Sequence, residues 1–261
     1  MTAYIIVSIS AIYEDIFSVF FELLKHNWPD CKWDIIEISD MTDTVYGKHH
    51  IKKEKDDTIP DCIYRASEKY PADFYIFFLG DAFITRSVNN ENVEKLLVEM
   101  KKGGFEYCNL FKNPTCKSDS FYMKLKKTES YGVQFIAFIA TRYFINKEFK
   151  ESVTDFEFEQ KHLITASKAK RGYYDEYIVA DKRLFGILHG INKGCWIRKA
   201  YRFLQRKYPD ILLGSREKQS LKIEIYEEVA RLSSRLLTTR TRSKIRRIIN
   251  RMSKKRFYTD Y

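Results

Sequence analysis

The amino-acid sequence predicts an α/β fold in which a mostly parallel sheet is flanked by helices. Short β-branched and aromatic runs alternate with amphipathic helical patterns through roughly the first two hundred residues. In addition, 44% of the 261 residues are hydrophobic and 31% are charged. This composition supplies one large core or two small ones, and it excludes a disordered chain.

The first elements follow from local patterns. Residues 4–10 form a predicted strand, and residues 14–26 form a helix with one apolar face. The helix ends at Asn27-Trp28-Pro29. Residues 33–38 form a second strand, whereas residues 40–61 lack periodicity and indicate a long, mobile loop.

The most apolar strand of the chain is predicted at residues 74–79, after a helix at residues 60–70. Its continuous apolar run is typical of a strand that is buried on both faces. A helix then begins near Asn90, has apolar residues spaced three and four apart, and ends at Gly103-Gly104. The remaining predictions are strands at residues 105–111 and 133–140, and helices at residues 141–150 and 196–207.

The net charge of +11 is concentrated in a C-terminal tail. Residues 215–261 carry 14 Lys/Arg against 5 Asp/Glu, a net charge of +9, which leaves +2 for residues 1–214. We therefore predict a body at 1–214 and a basic tail at 215–261 that forms two amphipathic helices with a break at residues 238–241. The tail either packs on the body or on a second subunit, which leaves an oligomer open, or lies on an anionic membrane surface.

Five scattered cysteines show no CxxC spacing, so they predict neither a zinc cluster nor a disulfide framework. The opening residues lack the basic segment of a signal peptide, and no run approaches the ~20 apolar residues of a spanning helix. We expect a cytoplasmic protein.

Three groups of residues are candidates for chemistry. Asp81 directly follows the buried strand, where it either binds a ribose hydroxyl or a divalent cation, or caps a turn. Residues 154–159 contain acids that either complement a helix N-terminus, as for Asp155 and Glu157, or serve as a general base. Residues 189–196 place two glycines and Lys193 before a helix, a weak phosphate-binding pattern that does not match a P-loop.

In this order and spacing, these segments resemble bacterial glycosyltransferases of the GT-A type that act in capsule, lipopolysaccharide or other surface-polysaccharide assembly. The resemblance covers roughly residues 4–210. It implies a GT-A-like, Rossmann-like sheet, here with a basic C-terminal helical extension. The segments that carry it are Ile5-Ile6-Val7-Ser8-Ile9-Ser10 with Tyr13-Glu14-Asp15, Trp28-Pro29-Asp30, Phe77-Phe78-Leu79-Gly80-Asp81-Ala82-Phe83-Ile84-Thr85, Phe156-Glu157-Phe158-Glu159, and His189-Gly190-Ile191-Asn192-Lys193-Gly194-Cys195-Trp196.

The resemblance implies a hexosyltransferase-like enzyme that moves a sugar from a nucleotide-diphosphate donor to a glycan or glycolipid acceptor. Glu159 would be the general base, with Glu157 as the alternate. The residues that would bind the donor are Ser8, Ser10, Tyr13, Asp81, His189 and Lys193. A single base favours inversion at the anomeric carbon, because no second carboxylate suited to a double displacement is evident.

Metal dependence is left open by one departure from the family pattern. Relatives often carry two consecutive acids at the strand end, whereas Gly80 precedes Asp81 here. A lone Asp81 offers Mn²⁺ or Mg²⁺ few oxygen ligands, and Lys193, Arg86 or His189 would then neutralise the donor phosphates.

Two other functions compete with sugar transfer. A nucleic-acid-binding protein would use the basic tail, but most aromatic residues belong to the core rather than to the tail, so we expect no nucleic-acid partner. An inactive scaffold of the same fold would fit the lone Asp81. Because the acceptors of surface-glycan enzymes are usually lipid-linked, the resemblance favours a peripheral position on the inner face of the cell membrane.

Overall fold

A computed structural model of the protein describes residues 1–41, 46–112, 114–116 and 120–225. Strands and helices alternate along the chain, with a short 3₁₀ turn at Ala11–Tyr13 before the first helix. The elements are β1 (Ala3–Ser8), α1 (Glu14–Asn27), β2 (Ile35–Ser39), β3 (His49–Lys52), α2 (Ile59–Lys69), β4 (Phe74–Leu79), β5 (Ala82–Ile84), α3 (Asn90–Gly103), β6 (Tyr107–Asn109), β7 (Tyr122–Lys126), β8 (Ala137–Thr141), α4 (Arg142–Phe149), α5 (Asp155–Lys168), β9 (Tyr173–Ala180), β10 (Ile187–His189), β11 (Ile191–Asn192), β12 (Cys195–Trp196) and α6 (Arg198–Lys207).

Eight strands form one mixed sheet in the order β3-β2-β1-β4-β8-β6-β9-β7. The pairs β1-β2, β2-β3, β1-β4 and β6-β9 are parallel, whereas β8 is antiparallel to both of its neighbours and β7 is antiparallel to β9. The register aligns Ile5 of β1 with Ile35 of β2 on one side and with Ile76 of β4 on the other. The predicted fold class, a mixed and mostly parallel sheet flanked by helices, is confirmed.

Helices cover both faces of the sheet, so the buried side chains form two hydrophobic clusters, one on each face. The strand β4 contributes to both. Its side chains alternate, so Phe74, Ile76 and Phe78 join the cluster of α1 and α3, while Tyr75 and Phe77 join that of α2, α4 and α5. All five are at most 2% exposed. The prediction that this strand is buried on both faces is correct, because a strand in the middle of such a sheet contacts helices above and below.

The prediction of a loop over residues 40–61 is wrong in its second half. β3 pairs in parallel with β2, aligning Ile51 with Ile38. A capping box between Thr58 and Asp61 then starts α2. β3 is an edge strand in which Ile51 alone is buried, so its sequence lacks the alternation that marks a strand. The strands β7 and β9 and the β5-β10 pair were also missed.

The packing of the body continues beyond the predicted boundary between residues 214 and 215. The N–H of Trp196 donates to the carbonyl of Glu217 at 2.8 Å, and the N–H of Gln219 donates to the carbonyl of Trp196 at 2.9 Å. Gln219 is 5% exposed. Residues 215–219 are therefore part of the body, whereas the amphipathic helices predicted farther along the tail lie outside the described residues. None of the described helices has the length and apolarity needed to cross a membrane.

Candidate functional site

A cleft of about 330 Å³ opens at the carboxyl ends of β1 and β4. β2 lies on one side of β1 and β4 on the other, so the strand order reverses at this point. Open α/β sheets bind their ligands at such a switch point. The polar side chains of the cleft are Ser8, Ser10, Tyr13, Lys53, Asp81 and Asp155. The structure thus brings together four predicted donor-binding residues, Ser8, Ser10, Tyr13 and Asp81.

The loop after β1 is anchored by Asp40, a residue that the sequence analysis did not single out. Its carboxylate accepts hydrogen bonds from the Ser10 hydroxyl at 2.9 Å and from the N–H of Ala11 at 2.6 Å. Burial opposes ionisation, but the combined effect of these two bonds, a bond from the backbone of Asp40 itself and the nearby Lys53 lowers the pKa of Asp40. The ionised Asp40 therefore positions the backbone that carries Ser10 into the cleft.

Asp81 and His189 form a pair at the edge of the cleft, with Asp81 Oδ2 3.0 Å from His189 Nε2. The antiparallel pairing of β5 with β10 produces this contact, because Ala82 lies opposite His189. The N–H of Gly190 also donates to the carbonyl of Asp81 at 2.9 Å. The pair therefore places a carboxylate and an imidazole side by side at the edge of the cleft, where both can form hydrogen bonds to a bound ligand.

Glu159 lies half-buried on α5, and its Oε1 accepts a hydrogen bond of 2.7 Å from the N–H of Phe135. Burial raises the pKa of Glu159, and Asp155 raises it further, against the opposing effects of the Phe135 N–H and of His189. Among the described residues, no donor contacts its second oxygen. A carboxylate that is held by one oxygen, with a raised pKa, suits a general base.

Glu157, the alternate base, is exposed and serves the start of α5. Its carboxylate accepts hydrogen bonds of 2.9 Å from both the N–H and the hydroxyl of Thr154, which completes a capping box. These two bonds lower the pKa of Glu157. The structure therefore assigns Glu157 to the helix cap, and only Glu159 has the half-buried setting of a base.

The glycine-rich segment at residues 189–196 forms a hairpin whose glycines have structural roles. A Cβ on Gly190 would lie 2.1 Å from Phe83 Cε2, and the Phe83 ring stacks on Trp196. Gly194 has a φ of +79° in the turn. Lys193 is exposed in the same turn with a φ of +50°. Packing therefore accounts for Gly190, and the positive φ of the turn accounts for Gly194, the two glycines expected to approach a phosphate.

Arg216 joins three parts of the site, although the sequence analysis did not single it out. Its guanidinium binds both carboxylate oxygens of Asp15, at 2.6 and 3.0 Å, and lies 4.6 Å from the centre of the Tyr13 ring. It also donates to the carbonyls of Ile12 at 2.8 Å and of Gly194 at 3.0 Å. Arg216 thus ties the loop that carries Tyr13 to the 189–196 hairpin.

The described residues do not fit a divalent cation held by the protein. They contain no group of three His, Cys, Asp or Glu side chains arranged for a metal. Asp81 is already engaged by His189, and Gly80 cannot be replaced by a second acid without displacement, because a Cβ there would lie 2.8 Å from Ile9 Cδ1. The positive charge on the cleft lining comes instead from Lys53, inside the segment expected to be a loop.

No protein-family model matches the chain, and no curated protein matches it significantly. Among solved structures, the chain is similar to a cytidylyltransferase from Leptospira borgpetersenii (11% identity, 90% of this chain and 96% of that chain, TM-score 0.45). It is also similar to TarS of S. aureus (10% identity, 79% of this chain, TM-score 0.46), of which it spans 39%. A third similar structure is a glycosyltransferase involved in glycosylation of the major capsid of PBCV-1 (15% identity, 81% of this chain and 91% of that chain, TM-score 0.40). With TM-scores below 0.5 and identities of 10–15%, these similarities carry no argument about function.

Proposed function

We propose that the protein is a glycosyltransferase that moves a sugar from a nucleotide-diphosphate donor to a hydroxyl of a glycan or lipid-linked acceptor. The observation that carries the proposal is the cleft at the switch point, where Ser8, Ser10, Tyr13 and Asp81 converge. The sequence resemblance supports the same activity and points to bacterial surface-polysaccharide synthesis.

The donor would lie across the carboxyl ends of β1 and β4. Tyr13, held by Arg216, offers a ring for the nucleotide base, and Ser8 and Ser10 offer hydroxyls. Asp81 accepts a ribose hydroxyl. Lys53 and His189 are placed to donate hydrogen bonds to the diphosphate, which gains negative charge as the sugar departs.

Glu159 would remove the proton from the acceptor hydroxyl. The acceptor oxygen then attacks the anomeric carbon as the bond from that carbon to the diphosphate oxygen breaks, and the bond electrons leave with the diphosphate. One displacement of this kind inverts the configuration. Proton NMR of the product measures that configuration, and a retained anomer would contradict this mechanism.

Binding of the diphosphate by Lys53 and His189 requires no metal held by the chain. A requirement for Mn²⁺ or Mg²⁺ stays a prediction, and any such ion would take its ligands mainly from the donor phosphates. A thermal-shift screen of nucleoside diphosphates and nucleotide sugars, with and without manganese, tests nucleotide binding, base preference and metal need together.

The substitution Asp81→Asn tests the placement of the donor. We expect the increase in Tm caused by the best nucleoside diphosphate to disappear or fall strongly, because the carboxylate that accepts the ribose hydroxyl and pairs with His189 is lost. The matched control is Asp175→Asn, which changes an exposed acid on β9. In this variant the increase in Tm should be unchanged. Equal shifts in the wild type and in Asp81→Asn would contradict the proposed donor site.

Failure of every nucleotide sugar to turn over would favour the inactive scaffold.

The tail is proposed to hold the enzyme on an anionic membrane surface. Residues 226–261 carry 11 Lys/Arg against 3 Asp/Glu, and each cation near such a surface contributes about 1 kcal/mol. Since Arg216 and Gln219 belong to the body, the deletion that tests this role should begin at residue 226 rather than at 215. We expect deletion of residues 226–261 to move the protein from the membrane fraction to the soluble fraction. Unchanged fractionation would reject the anchor.

A further inference from the structure

A second cavity, of about 740 Å³, lies at the other end of the β5-β10 pair from Asp81 and His189. Its charged lining residues are Arg86, Lys182, Arg183 and Lys207, and the lining contains no acid. Arg86 follows β5 by two residues, and Gly186 directly precedes β10. Asp81 of the donor cleft and Arg86 of the second cavity are five residues apart. At ~3.4 Å per residue, their backbones are therefore at most about 17 Å apart.

Backbone groups around the cavity contact two of these cations, Lys207 and Arg86. The ammonium of Lys207 donates to the carbonyl of Thr85. The side chain of Arg86 lies along Gly186, where a Cβ would be 2.6 Å from Arg86 Cγ and where φ is +59°. Any side chain at residue 186 would displace Arg86, so the glycine at this position allows Arg86 to lie over the cavity.

Buried Asp181 holds the fourth cation in place. It is 2% exposed and accepts a hydrogen bond of 2.9 Å from Nε of Arg183. Arg183 also donates from Nη2 to the carbonyl of Ser120 at 3.0 Å. By contrast, Arg86, Lys182 and Lys207 form no ion pair with any described residue. The cavity therefore gathers three cations that form no ion pair with a described residue, beside the Arg183 that is paired with Asp181.

We propose that this cavity binds a phosphate group at a site separate from the donor cleft. Gathered cations without counter-ions repel one another, and a bound anion relieves that repulsion through charge-assisted hydrogen bonds. The hydroxyl of Ser87 adds a donor that suits phosphate oxygens. The phosphate belongs either to a phosphorylated soluble molecule or to a lipid headgroup. A phosphorylated acceptor that extended from this cavity to Glu159 would occupy both sites at once. Only this last statement rests on the proposed function.

The test is calorimetric titration of the full chain with inorganic pyrophosphate, with and without a saturating nucleoside diphosphate. The double variant Arg86→Gln/Lys182→Gln removes two of the cations, and Lys95→Gln/Lys170→Gln removes two exposed cations elsewhere as the matched control. We expect the double variant to bind pyrophosphate about tenfold more weakly than the wild type, with the control unchanged. The melting temperature of each variant verifies folding.

A second arm distinguishes the sources of the phosphate by co-sedimentation with phosphatidylglycerol or phosphatidylcholine vesicles. If the double variant sediments less with phosphatidylglycerol than the control does, the phosphate is a headgroup; equal sedimentation with weaker pyrophosphate binding assigns it to a soluble molecule. Equal pyrophosphate affinity and equal sedimentation would overturn the site. Tight binding of a short RNA that the double variant loses would replace it by a nucleic-acid surface. Absence of nucleotide-sugar turnover would reject the glycosyltransferase and leave these measurements unaffected.

Discussion

The substitution Glu159→Gln is expected to lower kcat about a thousandfold and to leave nucleoside-diphosphate binding nearly unchanged. The amide oxygen can still accept the hydrogen bond from the N–H of Phe135, so the local structure is preserved. What the amide loses is the ability to accept a proton from the acceptor hydroxyl. Steady-state kinetics with the best donor, together with the thermal shift caused by its nucleoside diphosphate, measures both quantities.

The pH dependence of the wild type provides an independent check. The base must be ionised to act, so activity is lost as the pH falls through the pKa of Glu159. Burial raises that pKa, so the acidic limb of the kcat profile should lie above pH ~4.3, the ordinary value for glutamate. In Glu159→Gln this limb should disappear from the residual activity.

Glu157→Gln is the matched control, because it changes the same residue type two positions away on α5. The exposed Glu157 completes the capping box with Thr154, so its amide variant should lower the Tm only slightly and leave kcat unchanged. If Glu157→Gln abolished transfer and Glu159→Gln did not, the assignment of the base would be reversed.

Arg216→Ala is expected to raise the donor KM tenfold to about a hundredfold, with a smaller change in kcat. The variant removes a two-point contact with Asp15, two bonds to carbonyl groups and the ring contact that holds Tyr13. A hydrogen bond to a charged group contributes about 1.5–3 kcal/mol, and 1.4 kcal/mol corresponds to a factor of ten. Arg216 is a positioning residue, because it acts on the donor through Tyr13.

Two further variants separate positioning from general stability. Arg216→Lys retains the charge but cannot bind both oxygens of Asp15 in the fork geometry of a guanidinium, so an intermediate KM is expected. Lys222→Ala removes an exposed cation of the same segment and should leave KM unchanged. A donor KM in Arg216→Ala equal to that of the wild type would show that the contact with Tyr13 does not contribute to donor binding.

Much of the candidate site could be predicted because strand ends are visible in the sequence. Asp81 directly follows the most apolar strand of the chain, and the structure places it in the cleft with Ser8 and Ser10. The same rule identifies Asp40, which directly follows β2 and anchors Ser10. Similarly, the spacing of Thr154 and Glu157 is that of a capping box, which separates Glu157 from Glu159 by sequence alone.

Other features depend on long-range packing that local patterns do not contain. β3 gains its stability from pairing with β2, and only Ile51 shows an apolar signal. Lys53 reaches the cleft because β3 ends beside it. Arg216 contacts Asp15 across 201 residues of chain, and nothing in either local sequence indicates the partner.

The separation of Arg216 from Asp15 also sets the order in which the site forms during synthesis. Synthesis proceeds from the N-terminus, so Asp15 and the loop of Tyr13 leave the ribosome long before Arg216. A nascent chain that already contains every strand of the eight-stranded sheet still lacks the guanidinium that fixes Tyr13. The complete donor cleft is available only after almost the whole body has been translated, so a chain truncated before residue 216 would retain most of the sheet but lack the finished nucleotide site.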